Sequence, residues 1–362
     1  MLYQFLYPLR ELNPVFNVFR YITFRAAGAS VTAFVLCLVL GPRLIRLLKE
    51  RQALAHTERA YAEKIHQFYK HKKETPTMGG ILIVASILAS ALLWTRWTVS
   101  SVWIALATFL SFGIVGFLDD SIKLRSKSSR GLSSLTKFSG QFVAGLALGI
   151  FLYLDPAFDK MIYFPFFKNL TLYLGALFIP FVVVVLVGTS NALNLTDGLD
   201  GLAIGCLLFV AGAFGVFCYV VGRVDYAMYL QEVYVPGAGE LAVFCSALVG
   251  ASAGFLWYNS YPAEVMMGDT GSLSLGGALG AVAILTKKEL VLLVVGGVFV
   301  WEALSVILQV ASYKLFKRRI FLMSPFHHHL QLRGWPESKV TVRLWIISFI
   351  LALVGLSTFK LR

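Results

Sequence analysis

The sequence predicts an all-α, polytopic membrane protein with ten transmembrane helices. Of its 362 residues, 58% are hydrophobic, and the mean hydropathy of +0.75 is typical of membrane proteins rather than soluble domains. Apolar runs of the length needed to cross a hydrocarbon core recur along the whole chain. They lie at about 22–48, 76–95, 101–118, 134–154, 172–190, 202–221, 240–257, 270–285, 289–313 and 341–359. We therefore expect a single integral membrane domain over residues 1–362.

The distribution of basic residues predicts how these spans are oriented. The loops at 43–75, 119–137 and 314–340 follow odd-numbered spans and together hold 20 of the 32 Lys and Arg residues. The positive-inside rule places these loops in the cytoplasm and both termini outside, on the periplasmic side. The net charge of +13 is then largely a topology signal, so we expect membrane lipid and not nucleic acid as the partner.

The stretch GTSNALNLTDGLDGLA (188–203) joins spans five and six and carries no basic residue. Four polar side chains recur in it at a spacing of three: Asn191, Asn194, Asp197 and Asp200. A carboxylate within hydrocarbon costs about 2.5–3.5 kcal/mol, so acids at a membrane edge indicate a functional site. A metal ion, the N–H groups of a base or sugar hydroxyls would suit these groups. The alternative is a capped helix start, with Asn194 or Thr196 as N-cap.

Four further motifs fall on the face predicted to be cytoplasmic. They are ETPTMGG (74–80), GFLDDSIK (116–123), WYNSYPAEVMMGDTGS (257–272) and SPFHHHLQLRGW (324–335). In the first, Thr75 is a candidate N-cap and Pro76 a candidate first residue of span two. Because motif position and charge bias are separate observations, their agreement predicts one site assembled from five loops.

Three aspartates in these motifs are candidates for work on phosphate. Asp119 and Asp120 are adjacent at the predicted end of span three, about 100° apart around a helix, so one could face a metal or phosphate and the other a lysine. The alternative is a solvated helix end. Asp269 either caps the following helix or binds Mg²⁺, which takes one or two carboxylates and keeps substrate phosphates as further ligands.

The histidines and several cations have two readings each. His327, His328 and His329 are consecutive, a poor zinc pattern that better suits phosphate contact or proton transfer; the alternative is interfacial residues in a basic loop. Five cations could hold phosphates, the alternative being that they face lipid or solvent: Lys72, Lys73, Lys123, Arg125 and Lys137. Three polar residues share one face of span nine, where they either hydrogen-bond between helices or contact substrate: Glu302, Ser305 and Gln309.

Together these features predict phosphoryl transfer with one membrane-dissolved reactant. No P-loop or other ATP-binding signature occurs, so the donor is expected to be a soluble nucleotide conjugate.

The motifs TPTMGG, NLTDGLDGL, MGD-GSL and P-HHH-L-GW resemble those of the phospho-N-acetylmuramoyl-pentapeptide transferases, within the polyprenyl-phosphate N-acetylhexosamine-1-phosphate transferases. The similarity runs from residue 16 to the C-terminus. It implies an Mg²⁺-dependent, often dimeric enzyme of the bacterial inner membrane, with its site on the cytoplasmic face. Such enzymes move phospho-MurNAc-pentapeptide from UDP-MurNAc-pentapeptide to undecaprenyl phosphate in peptidoglycan synthesis, yielding lipid I and UMP.

The resemblance also assigns residues. Asp119, Asp120, Asp269, His327 and His328 take catalytic positions, with Asp269 as the Mg²⁺ ligand. Besides Lys123 and Lys137, the predicted substrate contacts are Lys72, Thr77, Asn194, Asp197, Gly198, Leu199, Asp200, Asn259, Gln309 and His329. Among these, residues 198–200 match a uridine pocket.

The sequence differs from the family at two places, and two other functions are alternatives to the one that the resemblance implies. Met266 stands where the family often has an aromatic residue, and the 51–74 loop is longer and more charged than usual, so Lys73 competes with Lys72. A sister enzyme using UDP-N-acetylglucosamine is the same-class alternative. The alternative from a different class is a transporter for an anionic substrate or lipid. Transporters typically show paired inverted repeats, and no internal repeat is evident in this sequence.

Overall fold

Helices dominate the computed structural model, which describes residues 1–51, 75–126, 131–167 and 170–359. The first seven helices are α1 Leu2–Leu6, α2 Ile22–Glu50, α3 Gly80–Trp94, α4 Ser100–Ser126, α5 Ser134–Leu154, α6 Phe178–Thr196 and α7 Leu202–Val221. The next seven are α8 Val224–Leu230, α9 Ala238–Asn259, α10 Gly268–Leu285, α11 Glu289–Val295, α12 Gly297–Phe316, α13 Phe326–Leu332 and α14 Glu337–Leu356. A two-stranded antiparallel hairpin, β1 Met161–Tyr163 and β2 Thr171–Tyr173, precedes α6.

The predicted all-α membrane fold is confirmed. Eight helical segments in the described part of the chain are long and apolar enough to cross a membrane. They are α2, α4, α5, α7, α9, α12, α14 and the unit Gly175–Thr196 that contains α6. The shorter apolar helix α3 and the 18-residue α10 coincide with the two remaining predicted spans. The count of ten crossings and the side of each terminus stay predictions.

Several predicted boundaries were wrong. Helix α4 continues past the predicted end at residue 118 to Ser126, so Asp119 and Asp120 lie inside a helix. Helix α3 begins at Gly80, so the Thr75 cap and the Pro76 first turn do not exist. Span nine is two helices, α11 and α12, that meet at Gly296. For α4 the reason is that hydropathy marks where side chains become polar, which differs from where backbone hydrogen bonding stops.

Helix α10 is the centre of the bundle, because every residue from Thr270 to Leu285 is buried. It packs chiefly on α4 and α6, and its N-terminal end also meets α3. Gly113 of α4 lies opposite Ser274, whereas Gly116, one turn later, lies opposite Asp269, so these two helices are antiparallel. The predicted topology requires this, because α4 corresponds to span three and α10 to span eight, and odd-numbered and even-numbered spans cross the membrane in opposite directions.

Glycines allow the helices around α10 to approach backbone to backbone. A Cβ added at Gly116 would collide with the carbonyl of Asp269, and one at Gly80 would collide with the backbone nitrogen of Gly271. Gly276 meets the backbone of Ser190 on α6 in the same way. Such small-residue contacts are the usual means of close helix packing in membranes. They fix the N-terminal end of α10, where the candidate site lies.

A second anchor stabilises the opposite end of the bundle. Near the start of α2, Arg25 donates two hydrogen bonds to Glu240, near the start of α9, at 2.5 and 2.6 Å. Both side chains are buried, so the bidentate geometry offsets the desolvation that each charge suffers. Because both residues lie near the N-terminal ends of their helices, α2 and α9 run parallel.

Candidate active site

Three aspartates converge at the N-terminal end of α10. Asp119 and Asp120 come from α4 and Asp269 from the first turn of α10, 149 residues beyond Asp120 in the chain. One oxygen of each carboxylate lies within 4.8 Å of the others. The aspartates of α4 are each 3% exposed, so they are held within the protein and not displayed on its surface. The predicted convergence of these side chains is therefore present in the structure.

Asp120 caps α10. Its carboxylate accepts hydrogen bonds from the backbone N–H of Asp269 at 3.2 Å and of Thr270 at 2.8 Å. The Thr270 hydroxyl donates to it as well, at 2.6 Å. First-turn N–H groups lack partners within their own helix and favour an anion. The cap predicted for Asp269 is thus supplied by Asp120, which leaves the Asp269 carboxylate to other partners.

Asp269 is surrounded by two ammonium groups and one amide. The Nζ atoms of Lys123 and Lys137 each lie 2.8 Å from its Oδ2. The amide of Asn194, near the end of α6, donates to its Oδ1 at 2.6 Å and to the Ser272 hydroxyl at 2.7 Å. These contacts fix the direction of the carboxylate from two sides. Lys123, Lys137 and Asn194, three of the predicted contacts, therefore join the aspartates in one cluster.

Asp119 is covered by the chain that leads into α5. It accepts the backbone N–H of Leu132 at 2.7 Å and lies 2.5 Å from Nζ of Lys123, one turn later on α4. A Cβ added at Gly131 would collide with its carboxylate, so only glycine allows the backbone to approach so closely. Asp119 therefore shares Lys123 with Asp269.

The donor set suits a hard divalent cation. Three carboxylates lie close together against two lysines, and carboxylate oxygen is the ligand that Mg²⁺ prefers. The lysines offset two of the three negative charges, which allows the carboxylates to remain close together. The cluster could hold a metal through Asp119, Asp120 and Asp269. The identity of the metal and the role of Asp269 as its ligand stay predictions.

The three histidines lie together on α13 and are buried, but they have different partners. His327 contacts Glu302 of α12, with 3.2 Å between its Nδ1 and the carboxylate. Nδ1 of His328 lies 3.0 Å from the amide oxygen of Gln331. His329 accepts the backbone N–H of Leu322 at Nδ1, at 3.1 Å. The Nε2 atom of His327 packs directly on Gly198, just beyond the end of α6.

His329 is a structural side chain in this state. Its ring stacks on Phe326, with centroids 5.6 Å apart and an interplanar angle of 24°. Burial, and after it the charge of Arg333, lower the pKa of His329 below the usual histidine value. A neutral ring is what its Nδ1 needs to accept the Leu322 N–H. This residue holds the loop before α13, and its predicted substrate contact stays a prediction.

Comparisons with known proteins decide the family. Residues 102–287 match the glycosyl transferase family 4, and residues 72–84 match the first signature of the phospho-N-acetylmuramoyl-pentapeptide-transferases. A phospho-N-acetylmuramoyl-pentapeptide-transferase of Geobacter sp. (strain M21) is 52% identical over 362 residues, all of both chains. Those of Oleidesulfovibrio alaskensis (strain ATCC BAA-1058 / DSM 17464 / G20) and Desulfatibacillum aliphaticivorans are 50% and 52% identical, again over the full length of both chains.

The chain belongs to the phospho-N-acetylmuramoyl-pentapeptide transferase family. This membership confirms the prediction, made from the motifs, of an enzyme that transfers a phospho-sugar. The apolar helices confirm that it is a multi-pass membrane protein.

The segment of this transferase predicted to form the uridine pocket is the turn between α6 and α7. Gly201 has a φ of +71°, and its N–H donates to the side chain of Asn259 at 3.1 Å. The Asp200 carboxylate accepts the N–H of Ala263 at 3.1 Å. Asp200 and Asn259 thus hold this turn against the segment after α9. Asp197 is the C-cap residue of α6, and Leu199, within the turn, is buried.

Two more predicted contacts of the transferase lie against its own chain. Gln309 accepts the N–H groups of Ile320 and Phe321 at 3.1 and 2.9 Å and donates to the Phe321 carbonyl at 3.0 Å, so it shapes the chain after α12. Thr77 lies beside Gly268, whose φ is +75°. These placements show what each side chain does in the free protein, and their substrate contacts stay predictions. Lys72 and Lys73 lie outside the described residues.

The TPTMGG motif forms an extended segment that pairs with MMGD. The Met266 N–H donates to the Pro76 carbonyl, and the N–H groups of Gly79 and Gly80 donate to the carbonyls of Met266 and Met267, all at 2.8–2.9 Å. This explains why the motif is not helical. The pairing places both motifs of the transferase beside the aspartate cluster.

Sequence reasoning missed Ser272 and Leu132. Ser272 lies three residues after Asp269 on the same helix, and that spacing is a usable signal for a shared partner. Leu132 acts through its backbone N–H, which no side-chain pattern reveals.

Proposed function

We propose that this protein transfers phospho-MurNAc-pentapeptide from UDP-MurNAc-pentapeptide to undecaprenyl phosphate, giving lipid I and UMP. The observation that carries the proposal is the convergence of Asp119, Asp120 and Asp269 with Lys123 and Lys137. Clustered carboxylates with adjacent ammonium groups suit a diphosphate and its cation, and the full-length relatives are named for this transfer.

In the proposed reaction an oxygen of the lipid phosphate attacks the β-phosphorus of the sugar nucleotide. A bond forms between that oxygen and phosphorus, and the bond from the β-phosphorus to the bridging oxygen breaks. The bridging oxygen leaves with UMP. Positioning and charge neutralisation supply most of the acceleration in such transfers, because there is little covalent chemistry for the protein to perform.

The residues of the cluster divide this work. Asp119, which faces Lys123, orients the attacking phosphate and accepts its proton where it carries one. Lys123 and Lys137 neutralise the phosphate oxygens as point charges. Asp120 fixes the end of α10 and thereby Asp269. Mg²⁺, held by Asp269 with its neighbours, would neutralise the diphosphate when bound.

The predictions on location and assembly belong to the same proposal. The site lies on the cytoplasmic face of the bacterial inner membrane, where a soluble nucleotide conjugate meets a membrane-dissolved phosphate. The positive-inside distribution of Lys and Arg supports this side. We propose one transferase domain over residues 1–362, and a homodimer as in many members of the family. Cross-linking in native membranes would test the dimer.

The decisive experiment measures UMP release by the purified protein with polyprenyl phosphate and Mg²⁺. UDP-MurNAc-pentapeptide and UDP-N-acetylglucosamine are compared as donors, and turnover with the first alone is expected. Asp269→Asn should abolish release while the protein keeps its thermal unfolding midpoint within a few degrees. Asp225→Asn is the matched control, because that aspartate is exposed and forms its ion pair with Arg223, two residues away. Full activity of Asp269→Asn would overturn the assignment.

A further inference from the structure

Glu302 is a buried acid in the second turn of the apolar α12, and the steps proposed above leave it without a role. The residue is 0% exposed, as is His327, its partner on α13. An acid placed in a membrane helix is costly and usually serves a site or an ion path. Its position therefore requires a partner that repays the desolvation.

The partner is the first of the three histidines. One carboxylate oxygen, Oε2, lies 3.2 Å from Nδ1 of His327 and accepts the backbone N–H of the same residue at 3.3 Å. Two contacts to one residue fix both the position of its backbone and the rotation of its ring. A carboxylate that is ionised only accepts hydrogen bonds, so this contact favours the tautomer of a neutral His327 ring with the proton on Nδ1.

The tautomer decides what the other ring nitrogen offers. With the proton on Nδ1, Nε2 of His327 presents a lone pair. Nε2 is buried and has no hydrogen-bond partner among the described residues. It packs on Gly198 so closely that a Cβ there would collide with it. A buried polar atom without a partner calls for one, and a bound substrate can supply it.

Gly198 connects the histidine with the aspartate cluster. It lies four residues after Asn194, the side chain that binds Asp269, and two residues beyond the end of α6. The Nδ1 atom of His328 contacts Gln331, and that of His329 accepts the backbone N–H of Leu322. His327 is bound to the acid Glu302 and packs on this turn.

We propose that Glu302 is a positioning residue for the transfer reaction: it fixes the ring and the Nδ1-protonated tautomer of His327, so that Nε2 presents its lone pair at the Gly198 turn. The role rests on the proposed function, since the ligand at this turn is the sugar nucleotide. It acts through His327 and does not touch substrate. The same geometry is found in enzymes and metal sites where a carboxylate orients an imidazole.

The kinetic test compares Glu302→Gln with Glu240→Gln. Both remove a buried carboxylate bound to a basic side chain, but the Glu240 pair lies at the far end of the bundle. Glu302→Gln should lower kcat for UMP release by about tenfold to a hundredfold with little change in KM, as loss of an orienting carboxylate does elsewhere. Glu240→Gln should lower the unfolding midpoint and leave kcat unchanged. Equal effects of the two variants on kcat would overturn the proposal.

A double-mutant cycle tests whether Glu302 acts through His327. In a His327→Gln background, Glu302→Gln should cause no further loss of kcat, because the ring that it orients is gone. Fully additive losses would contradict the proposal. If the His327→Gln background has no measurable turnover, the single variant Glu302→Gln decides. A lower kcat with an unchanged KM supports the proposal, and an unchanged kcat contradicts it.

A spectroscopic readout keeps this proposal separate from the reaction itself. In protein labelled with ¹⁵N-histidine, and with His327 assigned by loss of its signals in His327→Gln, Nε2 should show the shift of an unprotonated ring nitrogen. Glu302→Gln should move those signals. A proton on Nε2 in the unsubstituted protein would refute the proposal even if UMP is released. Absence of UMP release alone would refute the proposed function and leave this tautomer result standing.

Discussion

The carboxylate of Asp120 and the side chain of Thr270 are joined across two helices by a hydrogen bond of 2.6 Å. The same carboxylate accepts the Thr270 backbone N–H at 2.8 Å, so a residue inside α4 serves as the cap of α10. Asp269 directly precedes Thr270, so the same contact fixes the position of the Asp269 backbone. The two neighbouring aspartates therefore have different main partners. Asp119 forms an ion pair with Lys123, and Asp120 accepts hydrogen bonds from the N-terminal end of α10.

Removing the Thr270 hydroxyl tests that contact. Thr270→Val keeps the shape of the side chain but leaves the buried Asp120 carboxylate one donor short, which costs about 1–3 kcal/mol of unfolding free energy. We expect a lower thermal midpoint and roughly tenfold slower UMP release, because the Asp269 backbone loses part of its anchor. Unchanged values of both quantities would show that the backbone N–H contacts suffice.

Asn194 is predicted to tune the binding of the cation. Its amide fixes the Oδ1 atom of Asp269, so Asn194→Ala should raise the Mg²⁺ concentration needed for half-maximal rate by about tenfold or more. Asn191→Ala is the matched control, one turn earlier on α6, where the amide binds Gln141 instead. A titration of UMP release with Mg²⁺ measures both. An equal shift in the two variants would argue for a general disturbance of α6.

The glycine contacts predict a sharp difference between neighbours on α4. Gly116→Ala places a methyl group against the Asp269 carbonyl, and the backbones must separate, which we expect to abolish activity and lower the thermal midpoint by several degrees. In Gly113→Ala the new methyl lies 3.4 Å from Cβ of Ser274, an ordinary contact that should be tolerated. Comparable loss in both variants would mean that helix propensity or flexibility, and not close approach, explains the glycines.

The lowered pKa of His329 predicts a dependence of stability on pH. Between its folded-state pKa and the usual value near 6.5, the unfolded chain binds more protons than the folded protein, so the free energy of unfolding falls as the pH falls through that window. The loss should be absent in His329→Asn, which does not titrate. Thermal midpoints of both proteins from about pH 7 to pH 5 provide the test. If the midpoints of the two proteins change in parallel with pH, the pKa of His329 does not differ between the folded and the unfolded chain, and the prediction fails.

Much of the site was open to prediction because membrane topology restricts which loops can meet. Once the basic loops fixed the alternation of spans, GFLDDSIK and MMGDTGS had to lie at the same end of the bundle. Hydropathy could not show that α4 continues through Asp119 and Asp120, since a helix keeps its hydrogen bonds after its side chains become polar. The cap of α10 by Asp120 joins residues 150 apart, and capping patterns are local.

Contacts made by the backbone were also beyond the sequence. The pairing of Met266 with Pro76 and the N–H of Leu132 on Asp119 involve no side-chain signature. The histidine run shows the same limit, because three identical neighbours acquire different partners only from the packing of α12 and α13. Sequence reasoning placed Glu302 on a polar face of its helix, but only the fold selects His327 as its partner.

The close approach of α10 to α3, α4 and α6 has a consequence for how this protein can vary. Because the contacts at Gly80, Gly116 and Gly276 involve main-chain atoms, the register of the reactive carboxylates does not depend on which aliphatic residues cover the outside of the bundle. The outward side chains are thus free to follow the thickness and fluidity of the surrounding bilayer. The residues that can change with the membrane are therefore different from the residues that preserve the chemistry.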